Sequence, residues 1–202
     1  MKEALSIWRP RIVLIVLAIL FLAPVIAAWW LHWGLQWRPA ETINHGVLVA
    51  PPRRLDIRYP LLTSEGTPLR SNYLRGKWTL VTIGDANCAA ACANNFYKIR
   101  QVTIAQGKNM RRVQRLNLIV SNHESLPYVV SEYPGMDVAV LSSLTRATFL
   151  AAFSFDGVDP VHAHRVYLVD PLGNLMMYYH RDAEPAGMLK DLRRLLKISS
   201  IG

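Results

Sequence analysis

The stretch Trp78-Thr-Leu-Val-Thr-Ile-Gly-Asp-Ala-Asn-Cys-Ala-Ala-Ala-Cys92 decides the fold class. It starts as an apolar run typical of a buried strand, passes through a short polar loop, and ends in an alanine-rich segment typical of a helix. Cys88 and Cys92 are the only two cysteines in the chain. Because their spacing is about one helical turn, both sulfurs are expected on one helix face, where the helix dipole favours thiolate. The pair can therefore close a disulfide or bind a soft metal ion.

On both sides of this stretch the pattern alternates between strands and helices. The apolar runs predict strands over residues 78–83, 116–120, 138–141, 165–169 and 175–179, and helical spacing predicts helices over residues 89–106, 145–153 and 185–198. Cysteines that follow a strand lie at its carboxyl end, where open α/β sheets place their sites. The sequence therefore predicts an α/β fold, a thioredoxin-like domain with a central mixed sheet flanked by helices.

The N-terminal segment is apolar enough to cross a membrane. No residue from Ile12 to Trp37 carries a permanent charge, and five of the six tryptophans lie near the two ends of this run, as expected at membrane interfaces. A cleaved signal peptide is the alternative, with a basic start and small residues at positions 25–27. We interpret residues 1–11 as a cytoplasmic tail, 12–33 as a transmembrane anchor, 34–60 as a proline-containing connector and 61–202 as the thioredoxin-like domain.

Charge suggests an orientation and limits the partners. The tail before the anchor is short and basic, which favours its retention in the cytoplasm. In a bacterium this predicts a single-pass inner-membrane protein whose C-terminal domain faces the periplasm, where it would meet no nucleic acid. The net charge of +9 includes a local basic cluster, which is either a solvated surface or a docking site for an acidic partner: Lys98, Arg100, Lys108, Arg111, Arg112 and Arg115.

Three residue groups together resemble the Sco-type copper chaperones, membrane-anchored thioredoxin-like proteins of cytochrome c oxidase assembly. They are the Cys88-x-x-x-Cys92 pair, His162 five residues before Tyr167, and the hairpin that follows over residues 167–174. The closer resemblance is to divergent bacterial Sco-like membrane proteins. The chain departs from the family at Ala89, where a proline is usual, and over residues 84–87.

The resemblance implies a metallochaperone that binds copper, as Cu(I) or Cu(II), through Cys88, Cys92 and His162. Its expected partners are a cytochrome c oxidase subunit or assembly factors. Thiolates and imidazole suit copper(I), whereas a structural zinc site wants four protein ligands. His164 is an alternative to His162 as the third copper ligand. Two residues so spaced on an extended segment would point to opposite faces, so only one of them is expected to reach the cysteines. His123, after the strand predicted over 116–120, is a further candidate ligand.

Two other functions remain open from the sequence. In a thiol-disulfide oxidoreductase, Cys88 would attack a partner disulfide and Cys92 would resolve the mixed disulfide. In a non-catalytic oxidase assembly module, the two cysteines would form an inert bridge. The remaining histidines are interpreted as ordinary residues, with His45 and His180 on the surface and His32 at the membrane interface.

Overall fold

The computed structural model describes residues 2–34, 43–55, 61–63, 67–85, 89–120, 132–141 and 143–201. The chain divides into two compact units, Met1–Ile43 and Asn44–Gly202. Cys88 and His123 lie outside the described residues.

The first unit contains one long helix, α1 (Lys2–Trp33). Within it, Arg11–Leu31 is a 21-residue segment of mean hydropathy 3.0 near the N-terminus. Among the described residues this is the one helix long and apolar enough to cross a membrane. The predicted N-terminal apolar helix is therefore confirmed as a candidate membrane span.

The second unit is a seven-stranded mixed sheet with helices. Its strands are β1 (Val47–Arg54), β2 (Leu62–Thr63), β3 (Trp78–Gly84), β4 (Val113–Ile119), β5 (Asp137–Val140), β6 (Val166–Val169) and β7 (Asn174–Tyr179). Its helices are α2 (Ala89–Ile104), a 3-10 helix (Gly107–Arg112), α3 (Ser143–Ala151) and α4 (Pro185–Ile198). The strand order is β1-β7-β6-β3-β4-β5-β2, with β3, β4 and β5 parallel and the other pairings antiparallel.

Both faces of the central strands are buried, which explains their continuous apolar runs. Along β3, Val81 and Ile83 belong to one buried cluster, whereas Trp78 and Leu80 belong to another. The first cluster includes aromatic residues at the end of α3 and on β6 and β7. The second includes the apolar faces of α2 and α4. The structure therefore confirms the predicted thioredoxin-like sheet covered by helices.

The N-terminal edge of the sheet differs from the expectation. The two apolar stretches of the connector, residues 47–49 and 55–57, would suit a short hairpin, but residues 56–57 lie outside the described residues. Residues Val47–Arg54 instead form the single strand β1, which pairs with β7 and shifts register between Leu48 and Arg53. Pro51 and Pro52 lie inside this shift, and because proline has no N–H it is tolerated only at a sheet edge or a bulge. This strand lies within the segment assigned to the connector, and the compact unit begins at Asn44.

Candidate functional site

The first turn of α2 carries Cys92. β3 ends at Gly84 and α2 begins at Ala89, the residue directly after Cys88. Cys92 is half-buried and packs against the cluster beneath α2. One turn further along, the Phe96 ring meets the Tyr133 ring edge-on, with centroids 5.2 Å apart. Cys92 therefore lies on a helix whose inner face is firmly packed.

Cys92 is in a disulfide bond. No described cysteine is free, and the one other cysteine of the chain is Cys88. A disulfide at this position fits either an inert bridge or the oxidised state of a redox pair.

The histidine loop, residues 159–164, lies at the same end of the sheet. Because β6 runs antiparallel to β3 with Val166 opposite Thr82, the segment before β6 lies near the end of β3. A direct contact joins this loop to α2, since Asn95 Nδ2 donates a hydrogen bond of 2.9 Å to the carbonyl oxygen of His164. Asn95 is only 4 % exposed and lies one helical turn after Cys92. The loop that carries His162 is therefore attached to the cysteine helix.

The histidine loop is a turn rather than an extended segment. The amides of His162 and Ala163 donate to the carbonyl oxygen of Asp159 at 3.1 and 2.9 Å. The carboxylate of Asp159 also accepts from the amide of Val161 at 3.0 Å, as Asp does in turns. The expectation that His162 and His164 lie on an extended segment is therefore wrong, because the bonds to Asp159 fold the segment into a turn.

The two histidines of the loop differ in side-chain exposure and in backbone conformation. The His162 side chain is 72 % exposed, and its Nε2 lies 3.9 Å from the carboxylate of Asp159, itself 55 % exposed. His164 is half-buried and has a positive φ of 47°, a conformation uncommon for a residue with a side chain. The bond from Asn95 fixes the backbone of His164, while the ring of His162 stands in solvent. His162 is thus accessible to a metal ion.

A buried arginine that the sequence interpretation missed holds the other end of the loop. Arg165 Nη2 lies 3.3 Å from the carboxylate of Asp156, and its guanidinium lies 4.5 Å from the centroid of the Tyr178 ring. The hydroxyl of Tyr178 donates to the same carboxylate at 3.2 Å. Burial, and next the hydrogen bond to Asp156, raise the pKa of Tyr178. These contacts fix the backbone directly after His164.

His45 lies on the surface as expected, with its side chain 43 % exposed, but it also attaches the start of the domain to α4. Its amide and that of Gly46 donate to Asp191 Oδ2 at 2.8 and 3.0 Å, and its Nδ1 lies 3.0 Å from Oδ1. The hydroxyl of Tyr179 also donates to Asp191, at 3.3 Å. The His45 side chain packs closely against α4, since a Cβ at Gly187 would come within 2.8 Å of it. Sequence spacing gives no signal for so distant a pairing.

The predicted basic cluster is partly structural. Lys98 Nζ is buried and donates to the carbonyl oxygens of Arg181 and Ala183 at 2.8 and 3.0 Å. Arg112 donates to carbonyls at the end of α4, and buried Arg115 donates to that of Pro134 at 2.8 Å. Burial, and next the charge of Arg100, lower the pKa of Arg115. Three of the six cations therefore stabilise the fold rather than present a docking surface.

The full ligand set cannot be assembled from the described residues. Among them, no group of three or more His, Cys, Asp or Glu side chains is placed to hold a metal ion. Cys92 and His162 are described, whereas Cys88 and His123 lie outside the described residues. The set Cys88, Cys92 and His162 stays a prediction.

Comparison with known proteins agrees with the fold. Residues 78–199 match the family model of the transmembrane-like, thioredoxin-like, C-terminal domain. A search of curated proteins finds no match.

Several solved Sco structures are similar to this chain. ScoI from Bradyrhizobium japonicum, solved with copper bound, has a TM-score of 0.54 at 21% identity and covers 67% of this chain and 96% of its own. Yeast Sco1 with copper bound has a TM-score of 0.59 at 14% identity, covering 81% and 96%. BsSco, a member of the Sco family of cytochrome c oxidase assembly proteins with an identified disulfide switch, has a TM-score of 0.55 at 17% identity, covering 74% and 98%. At these identities the similarity shows the fold, and it confirms the resemblance predicted from the sequence.

Proposed function

Because the chain belongs to the family of the transmembrane-like, thioredoxin-like, C-terminal domain, we propose that it is a membrane-anchored, Sco-like copper-binding protein. Its proposed role is to assist assembly of the copper site of cytochrome c oxidase, with an oxidase subunit or an assembly factor as partner. The helix α1 would anchor it in a bacterial inner membrane. Its basic N-terminal tail favours an orientation in which the domain faces the periplasm.

The observation that carries this proposal is the hydrogen bond from Asn95 to the carbonyl of His164. It joins the loop of an exposed imidazole to the helix of Cys92. Thiolates with one imidazole form a donor set that suits copper(I). Cys88, Cys92 and His162 would thus supply three ligands to copper as cargo.

Loading of copper requires reduction first. A dithiol partner would attack the disulfide of Cys92, pass through a mixed disulfide, and leave as a disulfide itself, so that two electrons and two protons reach this chain. Copper(I) would then displace the protons of both thiols as it binds. The exposed His162 ring is the ligand that an acceptor protein could displace most readily, which suits a carrier rather than a permanent site.

Copper(I) affinity of the fully reduced, full-length chain in detergent tests this proposal, by competition with a chromogenic chelator. We expect one copper ion per chain, with loss of binding in Cys88→Ala and in Cys92→Ala. His180→Ala is a matched control, because this exposed histidine follows β7 and is not in the proposed ligand set. Affinity no greater than that of the double cysteine variant would contradict the proposal.

The disulfide at Cys92 also favours a second candidate function, thiol-disulfide exchange. Cys88, directly before the first residue of α2, would be the attacking thiolate. A model disulfide substrate distinguishes the two functions. Exchange activity lost in Cys88→Ala but unchanged in His162→Ala, without copper binding, would favour an oxidoreductase.

A further inference from the structure

A polar cavity of about 280 Å³ lies at the end of the sheet away from the cysteines. Its walls come from the end of β1 at Arg54 and Leu55, the turn 71–75, and Gly173. The turn that contains Gly173 joins β6 to β7, and Val169 at the end of β6 lies opposite Thr79 at the start of β3. Since the cysteines follow the other end of β3, this cavity is separate from the candidate copper site.

Backbone contacts hold the three walls together. The amide of Leu55 donates to the carbonyl oxygen of Gly173 at 3.0 Å, and the amide of Gly76 donates to that of Pro171 at 2.9 Å. Gly173 has a positive φ of 88°, and a Cβ there would lie 3.7 Å from Cγ of Arg75. The positive φ therefore favours glycine in this turn, and the Arg75 side chain lies beside it at ordinary contact distance.

Among the described residues, the lining of the cavity includes two arginines and no carboxylate. Arg54 and Arg75 both line it, and neither has an ion pair within the part of the chain that the structure describes. The acid of the adjoining turn, Asp170, is occupied, because its oxygens accept from two backbone amides at 2.9 and 2.8 Å and from the amide side chain of Asn174 at 2.9 Å. Two like charges thus line one cavity, and no described carboxylate pairs with either of them.

We propose that this cavity binds a phosphate group between Arg54 and Arg75. Two guanidinium groups offer forked N–H donors that match phosphate oxygens, and Ser71 and Asn72 add a hydroxyl and an amide to the wall. The volume is below the roughly 300–1,000 Å³ of pockets for drug-sized ligands, which suits a small anion. The phosphate could belong to a lipid headgroup or to a soluble phosphate compound.

NMR of the full-length chain tests this site, with the amides of residues 71–75 and the arginine Nε groups as reporters. In zwitterionic nanodiscs, inorganic phosphate at constant ionic strength should shift these signals in a saturable manner. Arg54→Gln/Arg75→Gln should weaken binding at least tenfold. The control Arg111→Gln/Lys190→Gln removes the same charge from exposed positions elsewhere and should bind as the wild type does.

The outcomes separate the sources of the phosphate. Without added phosphate, signal shifts in phosphatidylglycerol nanodiscs that are absent in phosphatidylcholine nanodiscs and lost in the Arg54/Arg75 variant would identify an anionic lipid headgroup. Shifts with inorganic phosphate alone would identify a soluble ligand. Equal responses to acetate and phosphate, or unchanged binding in the Arg54/Arg75 variant, would overturn the proposal. None of these results depends on copper, so they test this site separately from the proposed function.

Discussion

Two histidine-bearing segments are each attached to a helix by a buried polar side chain, and they differ in whether the attachment also uses the histidine ring. Asp191 on α4 binds the backbone of His45 and also its ring, at 3.0 Å. Asn95 on α2 binds the histidine loop through the carbonyl of His164 alone and leaves His162 72 % exposed. The first arrangement uses the imidazole for structure. The second fixes the backbone and leaves an imidazole exposed, as the proposed copper carrier would need.

The largest expected effect comes from breaking the attachment of His45. Asp191→Ala would leave the amides of His45 and Gly46 and the hydroxyl of Tyr179 without their acceptor. Because buried donors that lose a charged partner are costly, we expect the free energy of unfolding to fall by at least about 3 kcal/mol. Urea denaturation measures it. Lys190→Ala, exposed on the same helix, is the control, and an equal small effect of both variants would contradict this account.

Breaking the attachment of the histidine loop should have a smaller effect on stability and a clear effect on copper. Asn95→Ala removes one buried hydrogen bond, so we expect a loss of about 1.5 kcal/mol. It should also weaken copper(I) affinity about 10–100-fold, as the loss of residues that orient metal ligands does.

Asn94→Ala is the matched control, because Asn94 is the exposed neighbour on the same helix. Chelator competition and urea denaturation of both variants separate the two effects. A stability loss in Asn95→Ala with copper affinity equal to that of Asn94→Ala would show that the bond serves the fold alone.

The smallest effect on the free energy of unfolding is expected at Tyr167, a buried residue of β6. Its hydroxyl is buried and has no hydrogen-bond partner among the described residues. Burial raises the pKa of Tyr167. The unfolded chain therefore loses this proton first, at about pH 10, and stability falls as the pH rises further.

Tyr167→Phe removes both the unpartnered hydroxyl and this proton. We expect the variant to be about 1 kcal/mol more stable at neutral pH and to lose less stability above about pH 10. Thermal or urea unfolding at pH 7 and pH 10.5 checks this. A destabilised variant with an unchanged pH slope would mean that the hydroxyl has a partner after all.

The sequence predicts the elements whose signals are local. Helix α4 spans Pro185–Ile198, as its apolar spacing predicts, and β3 and the cysteine helix begin where the apolar run and the alanines indicate. β1 escaped prediction because its two prolines are typical of a connector, whereas its pairing with β7 depends on residues far along the chain. The hydrogen bond between Asn95 and His164 joins residues 69 positions apart, and the bond between His45 and Asp191 joins residues 146 positions apart. The periodicity of a sequence does not reveal such distant contacts.

The most direct test of the central claim compares the two histidines in one assay. We would measure copper(I) affinity and the free energy of unfolding for reduced, full-length His162→Ala and His45→Ala. We expect His162→Ala to bind copper more than tenfold more weakly with unchanged stability. We expect His45→Ala to keep wild-type copper affinity and to lose about 1 kcal/mol of stability, since it gives up the ring's bond to Asp191. Wild-type copper affinity in His162→Ala would contradict the account and remove His162 from the site.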